Sequence, residues 1–259
     1  VVMAEQPAGA AEVLLRRAVE TGSTVAREGL EFGVLSRQVA VGGQVVTVQG
    51  LAGTYEDVFL PLYGEHQAHN LAVALASVEA FLGNGSQRLD DEVMRTAVAD
   101  VTSPARLELV RPSPPLLVDA AHNPAGIESL RTALDEAFTF SHLVGVVGVL
   151  ADKDAEAMLD LLEPMLDEVV VTRSTSPRAI PVGELGRMAE EIFGEDRVHV
   201  EERLDDAIVF AVNEAEAVGG PTGGVLVTGS VTVAAEARLL AGAPGVDAGS
   251  RYQQHQEDL

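Results

Sequence analysis

Apolar and polar residues follow two rhythms along this chain, and the rhythm changes near residue 104. Residues 7–22 (PAGAAEVLLRRAVETG) have the spacing of an amphipathic helix, with Val13, Leu14 and Val19 at apolar positions and Gly22 as a stop signal. The runs FGVLSRQVAV, QVVTVQGL and TYEDVFLPL then alternate with period two, and Gly42-Gly43 supplies turn residues between the first two. They predict a short antiparallel meander at the edge of something larger. Helical spacing returns over residues 66–83. There Leu71, Leu75, Val78 and Leu82 fall at i, i+4, i+7 and i+11, which predicts one buried face. Residues 83–86 end that helix, and Asp90 is placed to cap another reaching about Asp100. Ser103-Pro104 marks a domain boundary, because proline and the residue before it resist helix continuation.

Strands and helices alternate from Leu107 onward. LELVR, LLVDAA, LVGVVGVL, EVVVTR, VHV and GVLVTG read as strands. Residues 124–140, 154–166, 181–193, 204–218 and 231–241 read as helices. LVGVVGVL and GVLVTG are almost wholly apolar, as expected of strands covered by helices on both faces. The alternation predicts an α/β domain over residues 104–243 with a doubly wound, mostly parallel, Rossmann-like sheet. Residues 244–259 read as a polar tail.

Composition narrows the partners. The chain has 259 residues, enough for one or two domains at roughly 150 residues each. The formal net charge is −23, which argues against a nucleic-acid duplex or an anionic membrane as partner, since both require a basic face. There is no Cys, so thiolate metal sites are impossible and a reducing cytoplasm is expected. No apolar run reaches the ~18 residues of a membrane span. All basic residues but Lys153 are Arg, which fits a GC-rich genome. The chain begins Val1-Val2-Met3, and a piece of a longer polypeptide is expected.

In open α/β sheets, ligands bind beyond the carboxyl ends of strands, and that rule selects a few residues. In Leu116–Pro124 the strand ends at Asp119, Asn123 is a good N-cap and Pro124 a good first helical residue. Asp119 can accept ribose hydroxyls and His122 can contact an anionic substrate; alternatively both satisfy turn amides. Ser230, after Thr228-Gly229, opens the last helix, where free amides can hold a carboxylate or phosphate or where Ser230 is a bare cap. Lys153 lies between Asp152 and Asp154, which reads as a solvated ion pair or a strand-end site, and Arg173-Ser174 is a weaker strand-end candidate. Asn70 lies in the first turn of the helix that opens with Gly64-Glu65-His66-Gln67, and Arg106 lies just past the boundary, where a guanidinium could grip phosphate. G-x-x-x-x-G-K-[ST], strand-linked G-x-G-x-x-G, H-x-x-x-H and G-x-S-x-G are all absent.

The motifs G-E-H-Q-x-x-N (64–70), P-A-R-L-E (104–108), L-V-D-A-A-H-N-P-A-G (117–126), G-V-L-A-D-K-D (148–154) and L-V-T-G-S (226–230) occur in one order. Order and spacing resemble the folylpolyglutamate synthase/dihydrofolate synthase family of Mur ligases over about residues 1–242. Ala120 stands where the family usually has Gly. The resemblance implies that residues 1–103 are the C-terminal part of a Mur-ligase central ATPase domain and that residues 104–243 are the Rossmann-like C-terminal ligase domain. It implies ATP-dependent amide ligation of L-glutamate to a reduced folate or dihydropteroate through an acyl phosphate, in a monomeric cytoplasmic enzyme. Asn70, Arg106 and Asp119 match positions that contact ATP, and His122 and Ser230 match positions associated with glutamate. The phosphate loop and magnesium ligands are expected upstream, with none in this chain, so the isolated chain is expected to be inactive. Two other readings stay open: a non-catalytic nucleotide- or amino-acid-binding Rossmann-like module, and another Mur-type amino-acid ligase.

Overall fold

A computed structural model describes residues 1–242; the expected polar tail lies outside the described residues. The chain divides into two compact units, one over residues 1–102 and one from Ser103 onward.

In the first unit, β1 (Val2–Met3) pairs in parallel with β2 (Ala26–Arg27) on either side of α1 (Ala8–Glu20). Neither two-residue strand is visible in the sequence pattern, because a pair so short carries no periodicity. The predicted meander is a sheet of its own, in the order β3 (Gly33–Ala40), β4 (Gly43–Gln49), β5 (Thr54–Leu60), antiparallel throughout. Two helices follow, α2 (Glu65–Gly83) and α3 (Asp91–Ala99). The Asp90 carboxylate caps α3 by accepting the Glu92 and Val93 N–H groups.

Two predicted faces need correction. On α1, Val13, Leu14 and Val19 are exposed and only Ala18 is buried. On α2, Leu71 and Leu75 are buried but Val78 and Leu82 are exposed. The buried stripe is Gln67, Ala68, Leu71, Ala72, Leu75, Ala76 and Glu79. Its alanines pack into a core with Val46, Val48, Tyr55, Val58 and Leu60. The stripe ends on a carboxylate rather than on a fourth aliphatic side chain. Glu79 is fully buried and accepts the Leu51 N–H (2.5 Å), the Ala52 N–H (3.3 Å) and the Tyr55 hydroxyl (2.7 Å). The Tyr55 hydroxyl is buried and the two amides are part-buried, so an acceptor at this position satisfies donors that water reaches poorly.

The second unit is a six-stranded sheet in the order β10-β9-β8-β11-β7-β6. Its strands are β6 (Glu108–Pro112), β7 (Pro115–Val118), β8 (His142–Val147), β9 (Glu168–Val171), β10 (Val198–Val200) and β11 (Gly223–Thr228). All neighbours are parallel except β6, which runs antiparallel to β7 at the edge. Its helices are α4 (Pro124–Ala137), α5 (Ala155–Leu162), α6 (Val182–Phe193), α7 (Leu204–Gly219) and α8 (Val231–Leu240). The fold is therefore mixed α/β with a mostly parallel sheet. Every residue of β8 and β11 is buried, as their apolar sequences require. Two helices stop earlier than predicted. Phe138 turns extended after α4. After Leu162 the chain tightens into a 3₁₀ turn (Glu163–Met165), because Pro164 brings no N–H to continue α5.

The carboxyl ends of the two central strands meet closely. Gly229 has φ +105°, and a Cβ there would lie 2.8 Å from the Gly148 carbonyl oxygen. A side chain would meet backbone on the neighbouring strand's exit, so Gly229→Ala is expected to lower unfolding free energy by more than about 1 kcal/mol in denaturant titration. In the first unit, burial and then the Glu79 hydrogen bond push the Tyr55 hydroxyl up to about 12 from its ordinary 10.0. Between those values the unfolded chain has lost a proton that the folded chain keeps, so stability should fall as pH rises from about 10 to about 12. Thermal unfolding against pH checks this, and Tyr55→Phe should remove that part of the slope.

Candidate functional site

The carboxyl end of β7 runs into a short connection before α4. Asp119 follows the strand directly, and its N–H still bonds to Val227 O at 2.9 Å. The side chain is 7% exposed. Its Oδ2 accepts the Leu107 N–H and its Oδ1 accepts the Ala121 N–H, each at 2.7 Å. Burial raises this carboxyl above its ordinary value; the two amide bonds and the charges of Arg106 and His122 oppose that rise. Asp119 therefore does satisfy turn amides. Each oxygen keeps further acceptor capacity toward a ligand hydroxyl.

The turn it holds carries Arg106. Ala105 (φ +56°) and Leu107 (φ +45°) are both in the left-handed region without being glycine, a combination that persists only where surroundings enforce it. The Ala120 N–H donates to Ala105 O at 2.8 Å and the Ala105 N–H donates to Glu108 Oε2 at 2.7 Å. Arg106 is exposed. Among the described residues its guanidinium makes no hydrogen bond or ion pair, although its charge acts on Asp119. A cation held out on a braced turn beside a strand end suits an anionic ligand.

His122 lies in the same connection, half-buried, with Nδ1 2.9 Å from Ala120 O. A carbonyl only accepts, so Nδ1 carries a proton and Nε2 is left to face a ligand. Asn123 caps α4 through Oδ1, which accepts the Gly126 N–H at 2.8 Å, and Pro124 follows as the first helical residue. Arg106, Asp119 and His122 are thus assembled at one strand end.

Ser230 is different. It is fully buried, and its Oγ accepts the Val233 N–H at 3.1 Å while lying 3.1 Å from Thr232 Oγ1. The hydroxyl is a helix cap with no exposed surface to offer a substrate. Lys153 pairs with Asp152, which also pairs with Arg178, while Asp154 caps α5. Arg173 pairs with Glu202.

Asn70 belongs to the first unit. It sits in the second turn of α2 rather than the first, exposed, with Nδ2 donating to Gln67 Oε1 at 3.2 Å. The start of α2 is tightly made. Gly64 takes φ +91° as the N-cap, and the buried Gln44 amide donates to Leu62 O (2.8 Å) and Gly64 O (2.9 Å). Among the described residues, no cluster of three or more His, Cys, Asp or Glu is suited to a metal ion and no helix is long and apolar enough to cross a membrane.

Sequence reasoning passed over Glu108 and Arg238. The Arg238 Nε donates to Glu108 Oε2 at 2.6 Å and its Nη2 to Oε1 at 3.2 Å. Glu108 stood inside the P-A-R-L-E motif, but a partner 130 residues away leaves no local signal.

Residues 105–231 match the family described as "Mur ligase, glutamate ligase domain". The chain is 52% identical over 241 residues to the Mycobacterium tuberculosis dihydrofolate synthase/folylpolyglutamate synthase, covering 89% of this chain and 50% of that protein. It is 31% identical over 236 residues to the Lacticaseibacillus casei folylpolyglutamate synthase, covering 90% of this chain and 52% of that one. A crystal structure of Mycobacterium tuberculosis folylpolyglutamate synthase, complexed with ADP and AMPPCP, superposes with a TM-score of 0.88 at 50% identity, over 95% of this chain and 55% of that one. The chain spans about half the length of the curated relatives it matches. With a Mur ligase glutamate ligase domain built around the Asp119 strand end and a likeness that extends across both units, this chain belongs to the folylpolyglutamate synthase/dihydrofolate synthase family of ligases.

Proposed function

We propose that this chain supplies the nucleotide- and glutamate-facing parts of an ATP-dependent ligase that joins L-glutamate to a reduced folate, and to dihydropteroate as well. The observation that carries the reading is the braced Arg106–Asp119–His122 strand end in a chain 52% identical to a dihydrofolate synthase/folylpolyglutamate synthase. In this reading residues 1–103 are the later part of a Mur-ligase central domain and residues 104–243 are the ligase domain. Turnover then draws on the half of the relatives that this chain does not span, and the chain by itself is inactive. The working protein is a cytoplasmic monomer.

The reaction asks for charge neutralisation on a transferring phosphoryl and for orientation of three anionic reactants. The substrate carboxylate takes the γ-phosphoryl group, leaving ADP; the glutamate amine attacks the acyl phosphate, an amide forms, and phosphate leaves. Arg106 contributes positive charge at the phosphates. Asp119 holds the turn that presents Arg106 and offers its remaining lone pairs to ribose. Asn70 contacts the nucleotide from the first unit. His122, protonated on Nδ1, presents Nε2 toward glutamate, and Ser230 contributes through the helix start it caps. The residues present fit a nucleotide; among the described residues no group of three or more His, Cys, Asp or Glu is placed to hold a metal ion.

Phosphate release by the full gene product tests the reading. Release should require L-glutamate together with a reduced folate or dihydropteroate. Release indifferent to glutamate contradicts it, and activity with folate alone removes the dihydrofolate synthase half. Arg106→Ala should weaken ADP binding by roughly 10- to 100-fold in isothermal titration, the loss of a charge-assisted contact. Affinity within twofold of the unaltered protein would remove Arg106 from the phosphate site.

A further inference from the structure

We propose that Glu108 and Arg238 are positioning residues for Arg106: a part-buried ion pair that fixes the backbone of the turn carrying that guanidinium. The inference rests on the reading of Arg106 as a phosphate-facing residue and adds the device that aims it.

The turn's own hydrogen bond, from the Arg106 N–H to Ser103 O at 3.2 Å, leaves the amides on either side to be held from outside. Residues on both sides of Arg106 occupy left-handed backbone without being glycine, so outside groups must supply the bonds. On one side Asp119 accepts the Leu107 N–H. On the other Glu108 Oε2 accepts the Ala105 N–H at 2.7 Å. A glutamate side chain is long and rotamer-rich, and by itself it would hold that amide poorly. Arg238 removes the freedom. Its guanidinium grips both carboxylate oxygens, at 2.6 and 3.2 Å, and Arg238 is only 8% exposed. Two-point geometry sets orientation as well as energy.

Arg238 lies in the last turn of α8. Two residues earlier on that helix, Glu236 accepts the Thr175 N–H and hydroxyl, at 3.0 and 2.6 Å through Oε1. One short helix, capped by Ser230 at the exit of β11, thus fastens the loop after β9 and the Arg106 turn. If the pair served stability alone, its removal would lower the melting temperature without acting through Arg106.

A double-mutant cycle separates the two. ADP affinity is measured by isothermal titration in the full gene product for Arg106→Ala, Glu108→Ala and both together. Glu108→Ala should weaken ADP binding about tenfold with Arg106 present and less than twofold in its absence. Amide hydrogen exchange should accelerate at Ala105 and Leu107 while β11 stays protected. Should Glu108→Ala fold poorly, Glu108→Gln keeps an acceptor for the Ala105 amide but loosens Arg238, and should give a smaller loss that also vanishes without Arg106. Equal losses in both backgrounds overturn the inference, as does full ADP affinity in both Glu108 variants while Arg106→Ala is impaired. An Arg106→Ala protein that binds ADP normally overturns the underlying reading, and the inference with it.

Discussion

Asp119 sits at the exit of β7 with 7% of its surface exposed, and each carboxylate oxygen accepts a backbone N–H, Leu107 on one side and Ala121 on the other. Those two amides belong to the two segments that make the candidate site: the turn with Arg106 and the connection with His122. Burying a carboxylate is unfavourable, and the raised pKa direction records that cost. The amide bonds and the charges of Arg106 and His122 offset it. Without this bridge the Leu107 N–H, at φ +45°, would lose its acceptor, and the turn carrying Arg106 would lose one of its side-chain braces.

The overall charge gives that arrangement a purpose. A chain with formal net charge −23 repels anionic ligands at long range, although salt screens much of this beyond about 10 Å. Attraction must then be local. Many of its guanidinium groups are committed within the fold: Arg238 to Glu108, Arg197 to Glu163, Arg178 to Asp152 and Arg203 to Asp205. Arg106 has no such partner among the described residues, and it is presented beside the strand end where α/β sheets place their ligands.

Much of this was legible in the amino-acid sequence. The apolar runs of β8 and β11, the Asn123-Pro124 helix start and the Asp90 cap are local signals, and the structure has each of them. The D-A-A-H-N-P run pointed to Asp119 and His122 for the same reason. What escaped was non-local. Val78 and Leu82 fit a helical stripe, yet α2 turns Ala76 and Glu79 inward because small residues allow close packing and three donors need Glu79. Ser230 was readable as a cap, but its complete burial was not. The left-handed Ala105 and Leu107 have no compositional mark, and Glu108 meets Arg238 only through the folded sheet.

The bridge made by Asp119 can be watched directly by nuclear magnetic resonance, following its carboxyl carbon and the amide protons of Leu107 and Ala121 while pH is lowered. One shared titration of all three signals, centred above the ordinary aspartate value of 3.8, is the result expected of a buried carboxylate that holds both amides. A carboxyl that titrates at or below that value, with either amide indifferent to it, would contradict the account.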